Sequence, residues 1–439
     1  MTPLQNALKK VVPPEVRTIS RVLNEAGFSS WLVGGSVRDI LLALSKGQEP
    51  QGQGDWDFAT NAHPRDVSKL FRQVIPTGIQ HGTVTIVLSK QHFEVTSLRG
   101  ELGHSDGRRP DEVFFVQELK EDLARRDFTI NAMAYNLEDD TFHDPFSGEA
   151  DLHAGLIRAV GEPAKRFAED GLRVLRCARF CAALNMNIEE KTEKAILPSL
   201  SSFEKVAQER VRDEWFKALR SQNPSRFLHV IKNCGLLNIT AADLWADSNP
   251  SSFLTATRKI DHAQADPLFR LALFIALNQF CDDSPHERAA CAAKKLGRHL
   301  RLSRAELGRL ILLTSHASPE KQLTESPSGL TIRKWLQKVG REQVKDVLDF
   351  QRAARLTNDE KLHAIHALIL HELEQASALS LRELKISGRD LIEKVGVPKG
   401  RRLGELLGLL LDEVLQDPQL NQEHLLLARA HALQESSSR

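Results

Sequence analysis

The sequence predicts an α+β protein, a small mixed-sheet region at the N-terminal end followed by a long all-helical remainder. Three observations carry that prediction. Short β-branched or alternating runs at 30–33, 55–59, 83–89 and 92–98 are interleaved with helical patterns only as far as about residue 116. From about residue 163 the strand signals fade, and apolar residues recur at helical spacing to the end. At 439 residues the chain exceeds one ordinary core, which predicts two to four domains.

Taken in order, residues 15–27 form a helix ending at Gly27. The apolar run Trp31-Leu32-Val33 is the first strand; Gly34-Gly35 then turns into a helix carrying Arg38 and Asp39. After a polar loop, Asp55-Trp56-Asp57-Phe58 is extended, so Asp55 and Asp57 share one face with Trp56 opposite. Pro64 starts a short helix over 64–71. The runs 83–89 and 92–98 form a hairpin turning near Lys90-Gln91. Arg99 to Asp111 is polar, Gly-containing and basic at its end, the texture of a mobile loop.

Residues 161–186 predict the strongest helix, with Leu172, Leu175, Phe180 and Leu184 as its apolar stripe and Glu169, Asp170, Arg173, Arg176 and Arg179 on adjoining faces. Residues 206–219 predict another amphipathic helix, with Glu209, Arg210 and Glu214 on its charged side. Seven further helices (226–236, 266–280, 286–298, 303–314, 330–338, 341–355, 360–375) carry no evident chemistry. His363, His366 and His371 share the last of these at spacings of three and five, a poor metal pair, and are expected at the surface. Near the end, LIEKVGVPKGRRLGELL reads as helix–Gly-x-Pro-x-Gly–helix with Lys394, Lys399, Arg401 and Arg402 around the turn.

Several classes are excluded. No apolar run is long enough to cross a membrane, and MTPLQNALKK lacks a signal-peptide core. Five cysteines without CxxC spacing fit buried thiols in a reducing cytoplasm better than a zinc site. A net charge of +1 means that any nucleic-acid partner is held by local patches. The helical remainder carries no HD-type dyad that would suggest a phosphohydrolase.

The chemistry concentrates between Trp31 and Thr60. Two carboxylates a few Å apart repel unless a cation sits between them, so Asp55 and Asp57 are a natural seat for one or two Mg²⁺ ions, which bring phosphate with them. Gly34-Gly35 lets backbone approach a ligand, the following helix offers free N–H groups to an anion, and Arg38 adds a charged donor. A D-x-D or a Gly-Gly alone is commonplace; the two in tandem point to phosphoryl chemistry on a nucleotide. Glu94 is either a third acid, if the sheet sets its strand beside the aspartates, or a solvated strand charge. The arginines at 173, 176 and 179 are either a salt-bridged surface or a phosphate- and base-facing wall, and Arg125-Arg126-Asp127 is a site cluster or a charged turn. The tail turn presents N–H groups and charge to nucleic-acid phosphates, or is an ordinary αα-turn.

Five segments, LVGGSVRD (32–39), DWDFAT (55–60), RRDFTINAMAY (125–135), EDGLRVLRCARF (169–180) and ERVRDE (209–214), occur in the order and spacing of a known family. Together they resemble the class II tRNA nucleotidyltransferases, the bacterial CCA-adding enzymes, with bacterial poly(A) polymerase as close kin. The tail segment LKISGRDLIEKVGVPKGRRLGELL is similar to the C-terminal part of these enzymes. The resemblance implies a nucleotidyltransferase head (1–145), a helical neck with a base-reading motif (146–222), a helical body (223–358) and a tRNA-binding helical tail (359–439). It further implies that Asp55 and Asp57 bind Mg²⁺ and that Gly35, Arg38 and Arg126 contact the incoming nucleotide. Asp170 and Arg173 would read the base, with Glu169 holding Arg173, and Arg176 and Arg179 would complete the wall.

Base reading by such a pair has its own physical logic. Adenine and cytosine both present an amino donor beside a ring-nitrogen acceptor, which suits one carboxylate and one guanidinium; guanine and uracil present the reverse and would leave buried polar groups unpaired. ATP and CTP are thus the expected substrates and tRNA the acceptor, with no nucleic-acid template. The charged segment 99–111 argues against an enzyme that stops after two cytidines. An A-adding partial enzyme shares every motif and stays open. Near-neutral charge speaks against poly(A) polymerase, and intact aspartates against a non-catalytic RNA-binding module.

Overall fold

The computed structural model describes residues 2–52, 55–79, 82–102, 112–245, 249–278, 285–318, 323, 327–355 and 360–436. The chain divides into two units, Met1–Ala246 with His299–Arg301, and Asp247–Arg298 with Leu302–Arg439.

The first unit opens with two helices, Pro3–Val11 and Pro14–Glu25, and builds a seven-stranded sheet. Its strands are β1 (Ser30–Val33), β2 (Asp57–Thr60), β3 (Val74–Gly78), β4 (Thr83–Leu88), β5 (Gln91–Ser97), β8 (Ala134–Tyr135) and β9 (Phe142–His143), in the order β3-β4-β5-β2-β1-β8-β9. The mixed sheet followed by helices is the α+β architecture expected. Between β5 and β8, β6 (Arg99–Leu102) pairs with β7 (Glu112–Phe115) as a separate two-stranded ribbon. The expected loop over 99–111 is therefore corrected at its start, where strand pairing begins at once after Leu98; residues 103–111 lie outside the described residues.

Register decides which side chains meet. β1 runs antiparallel to β2 with Val33 opposite Asp57, and β2 runs parallel to β5 with Phe58 opposite Val95. Phe58 and Val95 are buried on one face, so Asp57 and Glu94, one residue earlier on each strand, share the other. β4 and β5 close through Ser89 and Lys90, both at positive φ (51° and 64°), the geometry of a two-residue hairpin turn without the usual Asn-Gly. Beneath the sheet, Val33, Ala59, Leu98, Leu123, Ala132 and Ala134 form part of one apolar cluster.

The helix expected over 161–186 is two helices, Pro163–Glu169 and Leu172–Leu184. Asp170 leaves helical backbone (φ −146°, ψ 103°), and a Cβ on Gly171 would lie 2.3 Å from the Ser202 carbonyl oxygen. Backbone cannot yield at that distance, so the close packing against 202–203 requires glycine immediately after the break. Cys177 and Cys181 are buried thiols on the second helix, as expected from their spacing. On the Gln208–Arg220 helix, Glu214, expected on the charged side, is buried, and Arg179 reaches it from the neighbouring helix.

The second unit is helical among its described residues. The Pro267–Asn278 helix is buried along its whole length, and Arg309 ties Asp266 to Asp346 at 2.6 and 2.7 Å. His363 and His371 are exposed as expected; His366 is not, being 6% exposed and bonded to Gln351 Oε1 at 2.8 Å. Its ring faces the core because it falls in register with buried Leu362, Ile365 and Ile369. No helix among the described residues is long and apolar enough to cross a membrane.

Candidate active site

A cavity of about 450 Å³ opens over the sheet of the first unit where β1, β2, β4 and β5 come together. Its lining carries five arginines (Arg38, Arg99, Arg125, Arg126, Arg176) against three carboxylates (Asp57, Glu94, Asp127), the balance that suits a polyanion. Gly34 and Gly35 form one lip. Gly34 sits at φ 74°, ψ −130°, a conformation closed to other residues, and it starts the Gly35–Ser45 helix directly beside the aspartate strand.

Asp57 is the first residue of β2, and Asp55 precedes that strand as an exposed residue that does not line the cavity. Burial pushes the Asp57 carboxyl up to about 6; the charges of Glu94 and then Asp55 add to this, and Arg126 opposes it. A carboxyl held this way gains from a nearby cation, and an all-oxygen donor set fits a hard divalent ion. Asp57 and Asp55 are the residues that would hold it, with Glu94 adding negative charge from β5. Among the described residues no group of three acidic, histidine or cysteine side chains is gathered as a ready-made metal cluster.

The basic wall is pre-organised by buried acids. Arg176 donates to Asp127 Oδ2 through Nη2 and Nε at 2.6 and 2.9 Å. Burial alone would raise the Asp127 carboxyl, but the Arg176 guanidinium and Asn131 hold it far below the usual carboxylate range. Asn131 donates to Asp127 Oδ1 at 3.0 Å and accepts from Arg38 Nη1 at 2.7 Å, so one buried amide links the two arginines. The guanidinium carbons of Arg38, Arg176 and Arg179 lie 5.3, 5.4 and 3.8 Å from the centroid of the Phe180 ring. Arg179 is paired with Glu214, while Arg125 and Arg126 share Asp122 at 2.7 and 3.3 Å.

Of the residues expected at the site, Gly35, Arg38, Asp57, Arg126 and Arg176 line the cavity together. Asp170, Arg173 and Arg179 do not. Asp170 is held by both terminal nitrogens of Arg210, and Arg173 donates to Glu169 at 2.6 Å and to the carbonyls of Arg166 and Arg125 at 3.0 and 2.8 Å. Asn131, Phe180 and Glu214 were not among the expected site residues, and Asp127 was expected only as part of a cluster that is either a site or a charged turn. Asp127 stands inside the RRD segment and Glu214 closes ERVRDE, so the motifs held them, but only tertiary structure gives each a partner.

Lys394, Lys399, Arg401 and Arg402 belong to the second unit and surround the turn from Gly396 to Gly400 that precedes the Arg401–Gln416 helix, the helix–turn–helix expected. Lys394 pairs with Asp390 and Glu423, and Arg401 with Glu405. Lys399 and Arg402 are exposed, and no ion pair engages them among the described residues.

Three family models match the chain: the poly A polymerase head domain over residues 30–158, a "Probable RNA and SrmB- binding site of polymerase A" over 185–246, and tRNA nucleotidyltransferase domain 2 over 330–430. The CCA-adding enzyme of Lactobacillus helveticus is 47% identical over 199 residues, where the match spans 45% of this chain and about half (48%) of that relative's length. Other relatives match end to end. The CCA-adding enzyme of Limosilactobacillus reuteri is 33% identical over 95% of this chain and 96% of its own. That of Ligilactobacillus salivarius is 30% identical over 98% of both. Among solved structures, the Bacillus stearothermophilus CCA-adding enzyme in complex with CTP superimposes with a TM-score of 0.72 at 26% identity, covering 97% of this chain and 99% of that one. The Thermotoga maritima CCA-adding enzyme complexed with tRNA shares the fold at a TM-score of 0.63 and 22% identity, over 98% of each chain. With head, middle and C-terminal parts all matched and relatives aligned over nearly the full length, the chain belongs to the CCA-adding enzyme and poly(A) polymerase family of nucleotidyltransferases.

Proposed function

We propose that the chain adds CCA to the 3′ end of tRNA, taking CMP from CTP and AMP from ATP and releasing pyrophosphate without a nucleic-acid template. The observation that carries this reading is a single arginine-rich cavity in which Asp57 stands between the Gly34-Gly35 turn and the Glu94 strand. The Bacillus relative holds CTP and the Thermotoga relative tRNA, and both carry over here as substrates.

In the proposed step the tRNA 3′-oxygen forms a bond to the α-phosphorus in line with the departing group. The bond from that phosphorus to the bridging oxygen breaks, pyrophosphate leaves with the electron pair, and the hydroxyl proton passes to solvent. Arg38, Arg126 and Arg176 hold the phosphates, supported by Asn131, Asp122 and Asp127. The cofactor is Mg²⁺ at Asp55 and Asp57, which when bound supplies charge stabilisation to the reacting oxygens. Asp170 and Arg173 select the base: the carboxylate accepts from the amino group and the guanidinium donates to the ring nitrogen, with Arg179 completing the wall. In this reading Arg210, Glu169 and the Arg125 carbonyl keep the pair aligned until a base arrives. Residues 359–439 form the tRNA-binding tail, with Lys394, Lys399, Arg401 and Arg402 against backbone phosphates, and the cytoplasm is the proposed location.

The test is incorporation on three tRNA transcripts ending at the discriminator base, in C and in CC, each given CTP, ATP or both with Mg²⁺. Full CCA on the shortest transcript is the expected product. A alone on the CC-ended transcript would make the chain an A-adding partner, and long A tails would make it a poly(A) polymerase.

A further inference from the structure

The cavity has two unlike flanks, and the order of strands β4-β5-β2-β1 separates them. On the β1 side of Asp57 lie the Gly34-Gly35 turn and Arg38. On the β5 side lie Glu94, then the hydroxyls of Thr83 and Thr96, then Arg99. In-line displacement requires the attacking oxygen and the leaving pyrophosphate to stand on opposite sides of the phosphorus. With the reacting phosphate over Asp57 and the triphosphate tail along the glycine turn, the attacking strand must enter over β5 and β4.

That flank has the chemistry of an RNA end. Thr83 and Thr96 are cross-strand partners whose Oγ1 atoms lie 3.0 Å apart. Two hydroxyls share one proton between them and leave a second to donate, together with lone pairs to accept, which suits a ligand hydroxyl that does both. The parallel pair Thr77 and Thr85, 2.9 Å apart on the neighbouring strands, does not line the cavity. Arg99, where β6 begins, adds a guanidinium at the outer end of the same flank. We propose that Thr83, Thr96 and Arg99 seat the 3′-terminal nucleotide of the acceptor RNA, the threonine pair on its ribose 2′-hydroxyl and Arg99 on its phosphodiester. This assignment rests on the nucleotidyl-transfer reading above.

The test compares the wild type with Thr83→Val/Thr96→Val, which keeps β-branched shape in the strands, and with Arg99→Gln and Arg99→Lys. Each is given a tRNA transcript whose terminal residue is a ribonucleotide or a 2′-deoxynucleotide, the 3′-hydroxyl retained in both. The wild type should favour the ribonucleotide acceptor by about tenfold in KM, and the double valine variant should bind the two alike. Arg99→Gln should raise the acceptor KM about tenfold with the nucleotide KM within about twofold, and Arg99→Lys should recover part of the loss. An unchanged acceptor KM, or a rise in nucleotide KM instead, overturns the seat. Filter retention of the same two acceptors separates the two readings. A wild type that extends no RNA defeats the transferase reading, whereas equal retention of both acceptors by all four proteins defeats the seat alone.

Discussion

Arg210 donates to both carboxylate oxygens of Asp170, Nη1 to Oδ1 at 3.1 Å and Nη2 to Oδ2 at 2.7 Å. A planar fork of this kind fixes the plane of the carboxylate, which an ammonium cannot do. Arg210→Lys is therefore expected to behave like Arg210→Met, not like the wild type. Both should lose about tenfold or more in kcat/KM for CTP and ATP, with UTP and GTP gaining relative to them. Single-nucleotide incorporation with each of the four triphosphates measures this; an unchanged four-way ratio would show that Asp170 keeps its plane without Arg210.

Asp57→Asn and Asp55→Asn are expected to lower incorporation by about 10³-fold or more while tRNA retention persists. The raised carboxyl of Asp57 also fixes a pH sign. A folded-state value of about 6 against an ordinary 3.8 means that the metal-free fold binds this proton more tightly than the unfolded chain. That group alone therefore makes the metal-free protein more stable as pH falls from about 6 towards 4, and at the proposed metal site the proton would compete with Mg²⁺. The rise in Tm on adding Mg²⁺ should be full at pH 7.5 and fade below about pH 6, and Asp57→Asn should flatten it. Melting curves with and without Mg²⁺ across that range provide the check.

Asn131 joins Arg38 to the Asp127–Arg176 pair through one side-chain amide. Asn131→Leu removes both bonds while keeping the same heavy-atom branching. The expected result is a rise of roughly fivefold to tenfold in KM for CTP and ATP together, with their ratio and the acceptor KM unchanged. A shift for one nucleotide only would place Asn131 in base choice instead.

His366 supplies a pH signature for the second unit. Burial, then the nearby Arg352 and His363 charges, depress its imidazole to about 4 from an ordinary 6.5. The unfolded chain binds this proton first, so the stability it contributes is complete above about pH 6.5 and is lost as pH falls towards 4. His366→Gln should reduce the slope of stability against pH in that window, measured by urea unfolding at several pH values; an unaltered slope would assign the acid sensitivity to other groups.

Much of the fold is legible in the sequence because its signals are local. The β4–β5 hairpin, the Pro64 helix start and the glycine turn after β1 depend on neighbouring residues, and each lies close to its expected bounds. Asp57 and Arg38 are legible for the same reason. The features that escape depend on contacts distant in sequence. The strand beginning at Arg99 exists through its partner β7, and the glycine after the break at Asp170 answers the approach of Ser202. Glu214 reads only as one charge on the charged side of its helix until Arg179, 35 residues earlier, is seen to reach it. Similarly, Asn131 is one polar residue in an apolar run, and only the fold makes it a bridge between two cations.

Gly171 follows the break at Asp170 and opens the Leu172–Leu184 helix. Any side chain there would strike the backbone at 202–203, so position 171 admits glycine alone while that packing holds. A continuous helix would carry Asp170 into ordinary helical backbone and away from the extended conformation in which Arg210 now meets it. The close approach of the two segments therefore depends on one missing methyl group.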